Sequence, residues 1–419
     1  MKNLIKRGLS NKLLSGSLVM FAGTMVTNVG NYIYHLLMGR MLAPIDYGIL
    51  ASLISLTYLF GIPVGALSLV VVKYVSTLRG KREFGVISYF YSWLNKKLVI
   101  FGLAGFLLLI IISPWLISFL HLKSSLPILL IITFSLVGIY LTINIATLQG
   151  FLRFGLMSIL GAIQVALKLG VAVLLVYWGW RVLGAVSAIL VSALVGYLLT
   201  TLFVARLLVK KPTAKKKVID SQEIIRYAIP VFFSTLAFTS LYTTDVVLAR
   251  HFLSAQDAGY YASLATLGKI IFFASGPIIM VMFPMVSERH ANGRKYINLL
   301  NLSFGLVLLV CLGVSVIYFL FPKLMINILY GKQYLSAAPY LWLFAIFLSL
   351  YSLSSLLVNF YLSVKKVKVV ILPITAAIVQ IILISLFHRN LRQTVVMSVF
   401  TTTLLLFSLL LYYLKNEKV

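Results

Sequence analysis

The chain is 419 residues long, 61% hydrophobic and only 11% charged, with a formal net charge of +28. That is about half the charge a globular surface needs, so a soluble protein is excluded and lipid must solvate most of the chain. The one cysteine, Cys311, sits in an apolar run, which excludes an intrachain disulfide and a zinc or iron–sulfur centre built on thiolates.

A helix needs about 20 apolar residues to cross the hydrocarbon layer, and runs of that length recur to the end of the sequence. The predicted spans, in chain order, are 14–38, 47–74, 94–120, 126–148, 154–178, 182–208, 224–249, 258–286, 297–321, 338–362, 367–388 and 391–414. Alternating segments of about ten residues, the mark of a membrane β-barrel, are absent. The expected fold is therefore all-α and polytopic, with about 12 transmembrane helices. The basic start (Lys2, Lys6, Arg7, Lys12) runs straight into a span of full length, so no cleavable signal peptide is expected.

Orientation follows from the loops. With the N-terminus in the cytoplasm, one side collects 25 basic residues and the other 8, namely Arg40, Lys123, Arg181, Arg250, Lys323, Lys332, Arg389 and Arg392. The positive-inside rule then places both termini in the cytoplasm and the chain in the inner, cytoplasmic membrane. The same rule, with anionic headgroups, accounts for the net charge. A nucleic-acid partner would need its lysines and arginines clustered on a folded soluble face.

The longest loop, VKKPTAKKKVIDSQE, is basic and divides the chain. The expected organisation is a lobe at 1–208, a cytoplasmic linker at 209–223 and a second lobe at 224–419. A shift of 211 residues aligns LLMGRMLAPIDYGILASL (36–53) with VLARHFLSAQDAGYYASL (247–264). Asp46 falls on Asp257, Gly48 on Gly259, Ala51-Ser52-Leu53 on Ala262-Ser263-Leu264, and Gly65 on Gly276. Apolar bias alone does not produce gapless agreement at acidic and glycine positions, so the halves are read as an internal repeat. An even number of spans per repeat makes the two parallel, with a central cavity and a pathway between them. The second helix of each half is expected to be interrupted at matching depth, by Gly61, Pro63 and Gly65 in one and by Gly276 and Pro277 in the other. Such paired breaks point to a transporter's hinge and site, although glycine and proline are also common in membrane helices.

Few charges fall inside spans, where each costs several kcal/mol unless it meets a partner or water. Lys168 lies in the fifth span, Lys269 in the eighth and Asp245 in the seventh, while Arg40 and Arg250 end the first and seventh. Lys73, near a span end, reads as snorkelling. Two readings stay open for the five. In one, Asp245 neutralises a cation, either Arg250 about a turn further on or one from another helix, and the rest snorkel. In the other, Arg40, Lys168, Arg250 and Lys269 give a cavity excess positive charge suited to a phosphate or pyrophosphate headgroup, with Asp245 as counter-ion or as the group that couples transport to H+ or Na+. Asn28, Asn31, Gln164 and Gln380 add polar groups that more often join helices than hold ligands.

Catalytic constellations are missing. The histidines (His35, His121, His251, His290, His388) have no metal-ligand spacing, and Asp46 and Asp257, each followed two residues on by glycine, read as helix caps. No catalytic residue, metal or cofactor is expected.

Three stretches resemble the oligosaccharide flippase branch of the multidrug/oligosaccharidyl-lipid/polysaccharide exporter superfamily: 146–190, TDVVLARHFLSAQDAGYYASLATL (244–267) and ILYGKQYLSAAPYLWLFAIFLSLYSLSSLLVNFYLSVKKVKV (328–369). The resemblance runs over nearly the whole chain and rests on glycines, aromatics and an acidic position. It implies two six-helix lobes working by alternating access on an undecaprenyl-pyrophosphate-linked sugar, and partners among membrane lipids and polysaccharide-assembly proteins. The chain departs from the common form in its small number of acidic residues, eight in all, which bears on ion coupling. The other classes are a drug or toxin antiporter of the same superfamily, expected to hold more than one acidic residue in its cavity, and a membrane scaffold for glycosyltransferases.

The charge asymmetry makes a direct prediction. Reporter fusions near Lys123 and Lys332 should read outside, and those near Lys216 and Lys366 inside; an odd number of crossings would break the parallel repeat.

Overall fold

Within hydrocarbon every backbone N–H and C=O must be satisfied by the segment itself or by a closed sheet. This chain takes the first solution. The computed structural model describes residues 2–208 and 221–416, with side chains at 20, 22–208, 229, 232–290 and 292–415. Among these every regular element is helical. The linker expected at 209–223 lies outside the described residues except for its last three.

The helices are α1 (Lys2–Met41), α2 (Pro44–Gly80), α3 (Phe84–Phe119), α4 (Leu126–Gly150), α5 (Phe154–Leu175), α6 (Arg181–Leu207), α7 (Ser221–Phe252), α8 (Ala255–Ala291), α9 (Ile297–Leu320), α10 (Pro322–Leu329), α11 (Leu341–Ser363), α12 (Ile371–Leu386) and α13 (Leu391–Asn416). Twelve long helices coincide one for one with the predicted spans. Among the described residues ten helical stretches are long and apolar enough to cross a membrane, and one of these, Phe154–Leu207, is the α5–α6 pair. The turn between that pair passes through Gly179 at φ +88°, a conformation glycine adopts without cost. Around it Tyr177, Trp178 and Trp180 are exposed, as aromatic residues at a membrane–water interface are. The chain is a multi-pass membrane protein with a two-lobe, all-helical fold.

Two differences from expectation have physical causes. The eight-residue α10 and the 3-10 segment Lys332–Tyr340 fill a stretch read as loop, because both are too short to register as spans. The proline-containing helices are also not interrupted: α2 runs through Pro63 and α8 through Pro277 and Pro284 as continuous helices. A proline removes one backbone bond and crowds the carbonyl four residues earlier, so it bends a long helix without ending it.

The chain forms two compact units, one of residues 1–41 and 60–232, the other of residues 42–59 and 233–419. Helix α2 contributes to both. It passes from one unit to the other at Leu59–Phe60, and the Leu59 carbonyl is the acceptor that Pro63 leaves unused. In the first unit α1 packs on α5, and α4 and α5 on α6. Small residues allow this: a Cβ on Gly30 would meet Val165, and one on Gly161 would meet Thr27. In the second unit α11 is the central helix, packed on α8, α9 and α13, with Phe344, Phe347, Tyr351, Phe360 and Tyr361 buried.

The start of α2 is built into that second unit. Tyr47 is fully buried and shares its hydroxyl with Thr266 at 3.1 Å and with Tyr330 at 3.0 Å. The Gln333 amide donates to the Leu42 carbonyl at 3.1 Å. Gly48 and Gly259 meet here: a Cβ on Gly48 would lie 2.9 Å from the Gly259 nitrogen, and one on Gly259 would lie 2.0 Å from the Pro44 carbonyl oxygen. These glycines are equivalent positions of the two sequence repeats.

Gly259→Ala forces a Cβ into backbone and is expected to cost about 1–3 kcal/mol, as overpacking does. Gly138→Ala, where a Cβ meets nothing within 4 Å, should be neutral or slightly stabilising. Thermal unfolding in detergent reads both, and equal effects would remove the close backbone approach at Gly259 from the account.

Candidate functional site

Lys168 in the first unit and Lys269 in the second lie deep within membrane-spanning helices, each beside an aromatic ring. In the first unit Lys168 projects from α5. Its ammonium donates to Asn31 Oδ1 on α1 and lies 4.5 Å from the centroid of the Tyr34 ring. The Tyr34 hydroxyl donates to the Ala185 carbonyl on α6 at 2.9 Å, which fixes the ring beneath the charge. An aromatic face attracts a cation through its quadrupole, by about 2 kcal/mol or more once desolvated. Lys168 stays half-buried. Gln164, one turn earlier, lies against α6 at Gly196, where a Cβ would fall 1.6 Å from its Nε2.

In the second unit Lys269 of α8 lies 5.2 Å from the Tyr242 ring centroid and 6.0 Å from that of Tyr58. Position 58 plus the repeat shift of 211 is 269, so Tyr58 and Lys269 are again equivalent residues facing each other. Ten residues, or about 15 Å of helix, separate this contact from Gly48. Contact between the start of α2 and α8 thus passes from backbone at Gly48 to long side chains at Tyr58.

Asp245 of α7 is 1% exposed. Its Oδ2 accepts from the Tyr261 hydroxyl at 3.0 Å, Oδ1 has no hydrogen-bond partner, and Lys269 is the charge that acts on it. Tyr261 also meets Ser398 of α13. Ser398 accepts from Gln380 of α12 at 3.0 Å, and Gln380 donates to the Leu241 carbonyl at 3.2 Å. Its Oε1 is buried without a partner. Four helices thus supply one buried polar cluster with two unsatisfied acceptor atoms.

Of the sequence-predicted residues, the structure brings Asp245 and Lys269 together. Arg250 is buried at 5% exposure and takes its electrostatic support from Asp46. Five residues along a helix turn a side chain by about 140°, which is why Arg250 does not serve Asp245. Asp257 is not itself the cap: Ser254 caps α8 by accepting from the Asp257 amide, and its hydroxyl donates to Asp257 Oδ2 at 2.8 Å. Arg40 is exposed in the last turn of α1, apart from Lys168. Pro63 and Gly65 are exposed on α2, and Gly276 and Pro277 half-buried on α8. Sequence reasoning missed Tyr34, Tyr58, Tyr242 and Tyr261, since 23 tyrosines offered no reason to choose these four. Among the described residues no group of histidine, cysteine or carboxylate side chains could hold a metal ion.

The family described as polysaccharide biosynthesis protein matches residues 37–339. An uncharacterized membrane protein of Methanocaldococcus jannaschii is 30% identical over 138 residues, 30% of this chain and 26% of that protein. This chain therefore matches only about a quarter of the length of that relative. An inward-facing multidrug-resistance MATE transporter of the MOP superfamily superposes with a TM-score of 0.79 at 12% identity, covering 94% of this chain and 96% of that one. The lipid II flippase MurJ in an inward closed conformation gives 0.72 at 14% identity, over 95% and 88%. A MOP superfamily transporter from Pyrococcus furiosus gives 0.65 at 16%, over 94% and 93%. At these identities the likeness is one of fold.

If Tyr261 serves Asp245, Tyr261→Phe leaves a buried carboxylate without its side-chain donor and should cost about 1–3 kcal/mol. In an Asp245→Leu background the same change should cost far less. Equal losses in both backgrounds, read by thermal unfolding, would assign the hydroxyl to Ser398.

Proposed function

We propose, from the premise that the chain belongs to the polysaccharide biosynthesis protein family, that it is a transporter, not an enzyme. Its cargo is a polyprenyl-pyrophosphate-linked oligosaccharide, moved from the inner to the outer leaflet of the cell membrane by alternating access. The observation that carries this reading is the pair of cations Lys168 and Lys269, one in each unit, neither in a direct ion pair: Lys168 rests on an amide oxygen and an aromatic face, and Lys269 on two aromatic faces in the field of Asp245. Such cations keep their charge available for an anion of the membrane. Each lysine attracts a pyrophosphate, whereas each repels an organic cation, the cargo of a drug antiporter. Arg250 and Arg40 extend the same positive sign, and Asp245 offsets Lys269 in the absence of cargo.

In this reading the lobes are 1–208 and 224–419, joined by the basic linker 209–223, with both termini in the cytoplasm. Pro63, Gly65, Gly276 and Pro277 are the points at which α2 and α8 bend between states. The position of Pro63 supports this, because α2 changes units at the carbonyl that the proline leaves free. A second reading rests on the unpartnered Oδ1 of Asp245: there the carboxyl takes up H+ or Na+ to drive the cycle.

Glycan export in cells lacking the endogenous flippase separates these roles. Lys168→Ala and Lys269→Ala should each lower export at least tenfold at unchanged protein abundance, the effect of losing one charge-assisted contact of about 1.5–3 kcal/mol. Parallel losses of export and abundance would make the lysines structural. Asp245→Asn should be mildly impaired with an unaltered pH profile, since an amide still hydrogen-bonds. Abolished transport would assign the coupling ion to Asp245.

A further inference from the structure

A second positively charged site lies away from these lysines, in the first unit, where α4 turns into α5 beside the end of α6. The turn is tight: the Leu152 amide donates to the Gln149 carbonyl at 2.8 Å and the Arg153 amide to the Leu148 carbonyl at 3.0 Å. Leu152 sits at φ +56°, an unusual state for a branched residue, and its side chain stands exposed. Next to it opens a pocket of about 500 Å3 lined by Arg153, Arg206, Leu152, Leu156, Phe203 and Leu207 among others. The Arg206 guanidinium rests 5.7 Å from the Phe203 ring centroid. Among the described residues neither arginine has an anionic partner, and no acidic residue lines the pocket. Arg153 does not cap α5 with its side chain, so the first amides of that helix also face this end without intrahelical acceptors.

We propose that this pocket binds the headgroup phosphate of an anionic glycerophospholipid in the leaflet where the loops are basic. Two guanidinium groups suit a phosphate's paired oxygens, and the exposed Leu152 with Leu156 and Phe203 gives the adjoining acyl chains an apolar wall. Charge and apolar surface meet here at the end of membrane-spanning helices, which matches a lipid better than a soluble anion. The site joins the α4–α5 turn to α6, so an occupied pocket ties together three helices of one unit. It stands independently of the transported substrate.

Native mass spectrometry tests it on the full chain, purified in detergent and titrated with phosphatidylglycerol or phosphatidylcholine. Wild type should retain one phosphatidylglycerol and not phosphatidylcholine. Arg153→Gln with Arg206→Gln should weaken retention roughly tenfold or more, Arg153→Lys with Arg206→Lys should lose less, and Lys96→Gln with Lys97→Gln should match wild type. Equal binding by the glutamine pair, or an equal loss in the Lys96 and Lys97 pair, overturns the site. Displacement of phosphatidylglycerol by a polyprenyl pyrophosphate at tenfold lower concentration overturns the phospholipid assignment. A photoreactive phosphatidylglycerol keeps the test open should the glutamine pair misfold: in wild type it should label 148–157 and 200–208, and labelling elsewhere overturns the proposal.

Discussion

A charge carried into hydrocarbon must find its compensation inside the protein, and this constraint organises both units. Lys168 finds an amide oxygen and an aromatic face on α1. Lys269 finds two aromatic faces and the field of Asp245. Neither solution is a direct ion pair. A direct buried pair would cancel the charge, whereas an amide and a ring face stabilise a cation and leave its sign intact. That difference separates a structural neutralisation from a site that can still attract an anion. Asp245, with one oxygen bonded and one not, lies between the two cases.

The repeat supplies the second organising element. Within the second unit, residues at equivalent positions of the two sequence repeats meet at Gly48 with Gly259 and at Tyr58 with Lys269. The glycines are small because backbone meets backbone there. At the second contact the two repeats differ, with tyrosine at position 58 and lysine at position 269. That difference places a cation beside an aromatic ring.

Much of the fold was legible because its constraints act over twenty residues at a time. Span length and loop charge are averages that single residues cannot disturb, so the twelve long helices matched the twelve predicted spans. Shorter features escaped: α10 is too brief to count as a span, and α2 and α8 continue through Pro63 and Pro277. For the site, residue type and depth were enough to select Lys168, Lys269 and Asp245, since charges within spans are rare. Their partners were not selected, because a tyrosine ring beside a lysine depends on helix rotation, which hydropathy does not encode. Arg250 illustrates the same point: near to Asp245 in sequence, it faces another direction and answers to Asp46.

The central claim is that an anionic lipid-linked glycan crosses the bilayer on this protein, and a leaflet-translocation assay in reconstituted vesicles tests it most directly. A polyprenyl-pyrophosphate oligosaccharide placed in one leaflet should become accessible to a membrane-impermeant lectin on the other side only when the protein is present. The rate should fall when Lys168 and Lys269 are both replaced by methionine. Translocation that is unaffected by the loss of both lysines, or movement of an organic cation in place of the glycan lipid, would contradict the account.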